Sequence, residues 1–406
     1  MGIEINMNRE LKNIITINDF NYSQGGASKV AIDTANIFAE KGYNSIFISA
    51  VCDDEKSILS SKVKQYRYNG KEFLQYNNKV KGMLEGIRNE GFSKFVNDVL
   101  NQYSPYETIV HVHGWTKACS SHFFKILKER NYITFLTLHE YFSFCPNGAY
   151  YNYKTHKACD YKGCSIRCVT ANCDSRNFIF KIYRVLRELS YKKNMDFRFV
   201  EAIFISEFEK KIISKQIAIY NSCIIENPVE NVKLQCVHEE FDHKEFDYIY
   251  IGRTTKEKGI DLFLELAKEF PNKKFLLVGD LQQAHPNNIV ITGWVSEQRV
   301  DQYLQRSNIL IFPSLWPETF GLNVMKALEM GMECIVSSNT AAAEYVERVE
   351  RGHVFKQGDI NSLIEVCRKI DEGSNMPLRG KHIMFNSEDV YFEELIERYN
   401  MALEKI

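Results

Sequence analysis

The pattern that most limits what this chain can fold into is an alternation, met twice, of short β-branched runs with stretches of helical apolar spacing. Asn13 to Asn18 is one such run, followed by Asp19-Phe-Asn-Tyr-Ser-Gln-Gly-Gly-Ala-Ser28 and helical spacing from about Lys29 to Lys41, stopped by Gly42. Further strands are expected at Ser45 to Ser49, Ile109 to His113, Ile133 to Leu138, Ala202 to Ile205 and Cys223 to Ile225. Strands alternating with helices imply a parallel, doubly wound sheet. A second series opens at Asp247 to Gly252 and runs through a helix at Asp261 to Phe270, a strand at Lys274 to Gly279 and a helix at Val295 to Arg306. Between the two series, Asn231 to Glu245 loses apolar periodicity and gains histidine and charge, which suits a linker and hinge. The expected units are residues 1–240, residues 241–388 and a terminal amphipathic helix over 389–406, with Phe392, Leu395, Ile396, Tyr399 and Leu403 on its apolar face. Ligands of open α/β sheets bind outside the carboxyl ends of the strands, so two such sheets facing each other make one cleft.

Composition narrows the class. A chain of 406 residues with 45% hydrophobic and 25% charged content has room for two globular domains. A net charge of -1 gives no global attraction to nucleic acid, so an anionic ligand has to be met by local patches. There is no long uncharged apolar run of membrane-spanning length and no basic-then-apolar leader, so a cytoplasmic protein is expected.

The most chemically explicit stretch is Pro313-Ser-Leu-Trp-Pro-Glu-Thr-Phe-Gly-Leu-Asn-Val-Met-Lys-Ala-Leu-Glu329. Ile309 to Phe312 reads as a buried strand, the prolines force an irregular loop, and Leu322 to Met330 has helical spacing before Gly331. Backbone N–H groups of Phe320, Gly321, Leu322 and Asn323 are thereby left unpaired at a helix start, where Gly321 permits close approach of an anion. Glu318 in the same loop can accept hydrogen bonds from sugar hydroxyls. Phosphate together with hydroxyls points to a nucleotide sugar.

These residues resemble the family 4 nucleotide-sugar-dependent glycosyltransferases, which have the GT-B fold of two Rossmann-like domains facing across a cleft. The resemblance spans most of the chain. It implies an N-terminal acceptor domain, a C-terminal nucleotide-sugar domain and a last helix that crosses back onto the first. In that family a second Glu follows the first after seven residues and accepts hydrogen bonds from the donor ribose; here the first is Glu318 and the second falls on Lys326, which has only donors. Three readings of Lys326 stay open: a ribose held differently, a deoxyribose donor such as a dTDP-sugar, or lost activity. Glu329, one turn on, is a candidate for the ribose contact.

Gly252-Arg-Thr-Thr-Lys-Glu-Lys-Gly259 is similar to the family's diphosphate-binding element, in which Arg253 and Lys258 would neutralise the leaving group. His139, in Thr137-Leu-His-Glu-Tyr-Phe142, matches a family histidine that touches the transferred sugar. The resemblance also places Gly25 and Gly26 beside donor or acceptor. The spacing around them is not G-x-G-x-x-G, which argues against a nicotinamide cofactor. His113, Ser206 and Asn227 follow expected strands and are read as acceptor-side or cleft-lining residues.

Cys145, Cys159, Cys164, Cys168 and Cys173 lie in one insertion over about 145–175; structural zinc, free thiols and disulfides all stay open for it. Arg176 to Lys193 is basic and amphipathic, and Lys56 to Lys94 adds Lys62, Lys64, Arg67, Lys71, Lys79, Lys81 and Arg88. Such a surface suits either a solvated face or peripheral association with an anionic inner membrane. The leading expectation is a retaining, metal-independent hexosyltransferase with no required cofactor. It would move a sugar from a nucleotide donor to a glycan or lipid-linked glycan for capsule, O-antigen or other surface polysaccharide. The rivals are a non-catalytic sugar-nucleotide or glycan-binding partner of another transferase, and an epimerase or phosphorylase on the same fold.

Overall fold

The computed structural model describes residues 10–229, 244–373 and 385–405. The first series runs β1 (Asn13–Phe20), α1 (Gly26–Glu40), β2 (Asn44–Val51), β3 (Lys64–Arg67), α2 (Lys79–Ile87), α3 (Glu90–Leu100), β4 (Thr108–Val112), α4 (His122–Glu129), β5 (Ile133–Leu138), β6 (Tyr151–Asn152), β7 (Lys157–Ala158), α5 (Ile166–Thr170), α6 (Phe178–Asn194), β8 (Val200–Phe204), α7 (Glu207–Ser214) and β9 (Ser222–Ile224). The second runs β10 (Phe246–Ile251), α8 (Ile260–Glu269), β11 (Phe275–Val278), β12 (Ile289–Ile291), α9 (Glu297–Gln305), β13 (Ser307–Phe312), α10 (Leu322–Glu329), β14 (Glu333–Ser337), α11 (Ala341–Val349), β15 (Gly352–Phe355), α12 (Ile360–Asp371) and α13 (Glu388–Leu403).

Two sheets result, ordered β3-β2-β1-β4-β5-β8-β9 and β12-β11-β10-β13-β14-β15, with every neighbouring pair parallel. All eight residues of β1 are buried, which is what a strand covered by helices on both faces requires. Strand order reverses between β1 and β4 in the first sheet and between β10 and β13 in the second. These are the switch points at which crossover helices leave to opposite faces and a crevice opens at the strand ends.

Apolar clusters fill both faces of each sheet. The cluster holding Ile14, Ile109, Phe135 and Ile203 of the first sheet is completed by Tyr391, Phe392, Leu395, Ile396, Tyr399 and Leu403 of α13. The last helix therefore packs on the first sheet. Tyr399 OH lies 2.6 Å from His111 Nδ1, Tyr391 OH lies 2.9 Å from Thr34 Oγ1, and Arg398 pairs with Glu201, so the helix is located by polar bonds as well as by burial. The expected hinge at 231–245 falls almost wholly outside the described residues.

The helix over Phe178–Asn194 has an unexpected orientation. Its buried side carries Lys181, Arg187 and Glu188, while Ile179, Ile182, Leu186 and Leu189 face outward. The exposed stripe is thus apolar until the last turn, where Lys192 and Lys193 are exposed, and Tyr183, Val185 and Tyr191 share the buried side with the charged residues.

Candidate active site

Gly25, Gly26, His113 and His139 collect at the first switch point, and Arg253, Lys258, Glu318 and the start of α10 at the second. At the first, Gly25, Gly26, His113 and His139 line a pocket together with Asp19, Lys117 and Glu140. His113 Nδ1 and His139 Nε2 are 2.9 Å apart with their rings stacked at 5.2 Å. Burial holds His139 down at about 3 and His113 well below its ordinary value, so both imidazoles are neutral at physiological pH. A neutral His139 can hydrogen-bond a hydroxyl but brings no charge. Glu140 opens to the cleft; desolvation by the cleft walls raises its carboxyl, against the pull of Lys117, Arg253 and Lys258.

At the second switch point, the β10–α8 and β13–α10 loops touch. Gly259 has φ +75°, and a Cβ there would stand 1.9 Å from the carbonyl oxygen of Pro313. Only glycine fits, and the close approach sets Lys258 against the next loop. Leu315 N donates to Glu257 O at 2.8 Å, and Lys258 forms an ion pair with Glu318. Ser314 Oγ donates to the same Glu318 oxygen at 3.1 Å. Glu318 is 7% exposed, and Lys258 also lies over the Trp316 ring at 4.8 Å. Arg253 is the open cation of the pair, with its side chain 60% exposed and 3.9 Å from Glu257.

The helix that follows starts at Gly321, with φ 95° and ψ 57° and no side-chain cap. Its first amides therefore keep their hydrogen-bonding capacity. The Phe320 ring is buried against Tyr345 at 5.4 Å, so this residue offers backbone only. Leu322 reaches the first half, where a Cβ on Gly26 would meet its Cδ1 at 3.0 Å.

Polar bonds stitch the two loops' surroundings together. Thr319 Oγ1 donates to the His139 carbonyl at 2.9 Å, and Ser206 Oγ donates to the Thr319 carbonyl at 2.6 Å. Ser206 is thus a buried cap of α7 and a tie to the donor-side loop. Asn227 is buried beyond β9 and is not among the residues that line the pocket. Lys326, buried on α10, is 2.6 Å from Asp301 and 3.6 Å from Glu297. Glu329 is half-buried, and burial pushes its carboxyl up to about 7 against the pull of Lys326. Ser314, Thr319 and Asp301 were not singled out from the sequence; Ser314 bonds Glu318 within the same irregular loop, while Thr319 and Asp301 have their partners at His139 and Lys326 on other elements.

The zinc reading of the cysteines needs correcting. Among the described residues no group of three or more His, Cys, Asp or Glu side chains is placed to hold a metal ion. The cation between Cys168 and Cys173 is Lys181, whose Nζ is 3.4 and 3.3 Å from their sulfurs. Cys145 instead donates to Asn147 Oδ1, and burial raises Cys145 to about 12, Cys164 to about 11 and Cys159 in the same direction. All the described cysteines are free.

Two doubly wound parallel sheets with charged and glycine-bearing loops at both switch points define a GT-B protein. Residues 235–381 match the family model described as glycosyl transferases group 1. The chain is 25% identical over 199 residues to the capsular polysaccharide biosynthesis glycosyltransferase CapM of Staphylococcus aureus, covering 44% of this chain and 52% of that one. It is 26% identical over 157 residues to an "uncharacterized 41.2 kDa protein in cps region" of Klebsiella pneumoniae, covering 36% and 43%. The chain thus spans about half or less of these relatives' length. Among solved structures, sucrose-phosphate synthase of Thermosynechococcus elongatus superposes with a TM-score of 0.68 at 17% identity, covering 96% of this chain and 99% of that one. Anabaena HepE in complex with UDP and glucose gives 0.62 at 13%, covering 95% and 98%. The expected GT-B fold is borne out, and the expected resemblance to glycosyltransferases agrees with the family model over residues 235–381 and with these partly covered relatives.

Proposed function

We propose that this chain is a retaining glycosyltransferase that moves a sugar from a nucleotide-sugar donor to a glycan or lipid-linked glycan acceptor in surface polysaccharide synthesis. The observation that carries the reading is Glu318, buried, paired with Lys258 and Ser314, one turn before an uncapped helix at the second switch point. Cleaving the donor's sugar–phosphate bond puts negative charge on the departing diphosphate. Lys258, Arg253 and the first amides of α10 supply fixed positive charge for it, which in a dry cleft lowers the barrier by several kcal/mol, on the order of 3 per group. In this reading no metal ion is needed, because those groups do that work. Glu318 accepts from donor-sugar hydroxyls, and His139, neutral and oriented by His113, contacts the sugar from the other wall.

The same reading assigns residues 1–240 to the acceptor, residues 241–388 to the donor, and residues 389–406 to a helix returned to the first domain; the packing of α13 on the first sheet supports the last assignment. It places the protein on the cytoplasmic face of the inner membrane. No described helix is long and apolar enough to cross a membrane, and the outward Ile179, Ile182, Leu186 and Leu189 with nearby Lys192 and Lys193 suit a surface attachment.

The test is nucleotide release from a panel of UDP-, GDP-, dTDP-, ADP- and CMP-sugars, with and without glycan acceptors, alongside Glu318→Gln. Release from one donor, reduced at least about a hundredfold by the substitution, is expected. Turnover that survives Glu318→Gln would refute the assignment.

A further inference from the structure

The lysine at 326 raises a specific question, because the family resemblance puts there the acid that meets the donor ribose. In the folded chain Lys326 is met by two carboxylates on the helix opposite. Asp301 Oδ1 is 2.6 Å from its Nζ and Glu297 Oε1 is 3.6 Å away. These acids are four residues apart on α9 and so share one face of it. Between the two facing helices the acids stand on α9 and the cation on α10.

The two carboxylates are not equivalent. Asp301 makes the close pair and takes up the Lys326 ammonium. Glu297, the first residue of α9, is 48% exposed and stands between two lysines, its Oε1 at 3.6 Å from Lys326 and its Oε2 at 3.6 Å from Lys29 of α1. Both contacts are ion pairs longer than a hydrogen bond, so they hold the carboxylate in place without using its lone pairs in short bonds. Lys29 begins three residues after Gly26, whose backbone faces Leu322 at the start of α10. Glu297 therefore lies at the seam where the first helix of one half meets α10 of the other. The alternative acid, Glu329, is at the far end of α10, and its carboxyl is driven up to about 7 by burial, which makes it the weaker acceptor at neutral pH.

We propose that Glu297 accepts hydrogen bonds from the ribose hydroxyls of the donor, held in place by Lys326 and Lys29, so that an acid from α9 replaces the one absent from α10. This rests on the nucleotide-sugar reading and deepens it: it selects a ribonucleotide donor over a deoxyribonucleotide one. Lys326 is a positioning residue here, and Asp301 keeps it in position.

The experiment is a binding cycle on the full chain, titrating UDP, GDP and ADP and the 2′-deoxy form of whichever binds. The parent should prefer the ribonucleotide by about tenfold or more, as expected for a hydrogen bond to a charged acceptor. Glu297→Ala should lose that preference by weakening only the ribonucleotide, with Glu297→Gln intermediate. Asp301→Asn, which loosens the ion-pair cluster that positions Glu297, should weaken the ribonucleotide more than its 2′-deoxy form, by a smaller factor than Glu297→Ala. A parent that binds a diphosphate without discriminating, or a Glu297→Ala protein that still discriminates, overturns the assignment while leaving the transfer reading intact. Failure of the parent to bind any of the three while it turns over a dTDP-sugar overturns this assignment and leaves the donor reading intact; failure with every nucleotide and every sugar nucleotide of the donor panel removes both.

Discussion

Glu318 and Lys258 sit on different loops and balance each other's charge in a site where neither is well exposed to water. Removing one partner leaves the other costly: Lys258→Met should lower turnover about 100- to 1000-fold and destabilise the fold by about 1–3 kcal/mol, measured by nucleotide release and by urea unfolding. A second residue-level consequence lies away from the cleft. Burial pushes the Glu188 carboxyl up to about 7 from 4.5, with Lys192 and Arg187 offsetting only part of it. A carboxyl raised in the folded state contributes stability that is complete below its unfolded value and lost as pH climbs through its folded one. Parent and Glu188→Gln should therefore be close in stability near pH 5 and diverge by pH 8, with the variant ahead by about 1–3 kcal/mol in paired denaturation curves. Glu318, Lys258 and Arg253 could be found in the sequence because they sit at fixed offsets from glycine and proline. Ser314 and Thr319 could not, because their partners at Glu257 and His139 are joined to them by folding alone.

Among the elements, the strands with β-branched runs were legible, the edge strand over Ser222–Ile224 among them, whereas the edge strands over Lys64–Arg67, Ile289–Ile291 and Gly352–Phe355 were not. The edge strand over Lys64–Arg67 is polar, since an edge has one neighbour and an exposed flank, and the hairpin over Tyr151–Asn152 and Lys157–Ala158 is too short to show a period. The amphipathic helix over Phe178–Asn194 shows another limit: periodicity reveals two faces but not which one is inside. Its inward side mixes Tyr183, Val185 and Tyr191 with charged groups that find partners there, Lys181 at Cys168 and Cys173 and Arg187 donating to the Thr116 carbonyl at 3.1 Å, and Ile179, Ile182, Leu186 and Leu189 are left outward. Vesicles rich in anionic lipid should therefore retain the protein in flotation. Ile182→Glu with Leu186→Glu should reduce the floated fraction about tenfold or more without lowering the melting temperature. Equal flotation of parent and variant would remove this face from membrane attachment.

For the molecule as a whole, two doubly wound sheets followed from the alternation of strands and helices, but the relation between them did not. That relation rests on a few bonds at the strand ends. Thr319 donates to the His139 carbonyl while its own carbonyl accepts from Ser206, so the loop bearing Glu318 is fastened to the opposite half at two points. Thr319→Val removes the hydroxyl and keeps the shape. It should lower kcat about tenfold while changing nucleoside diphosphate affinity less than threefold, and Thr319→Ser should restore the rate, as stopped-assay kinetics with a titrated donor would show.

The same fastening bears on how such chains exchange parts. A recombinant that received the donor-side half from a relative would inherit its Glu318 loop intact but would have to find matching anchor points on an unfamiliar acceptor half, and its last helix would need a compatible bed on the first sheet. Interchange by whole halves is therefore restricted to lineages that keep these docking points in common, and the crossover most easily tolerated is one that carries the terminal helix with the half it packs on.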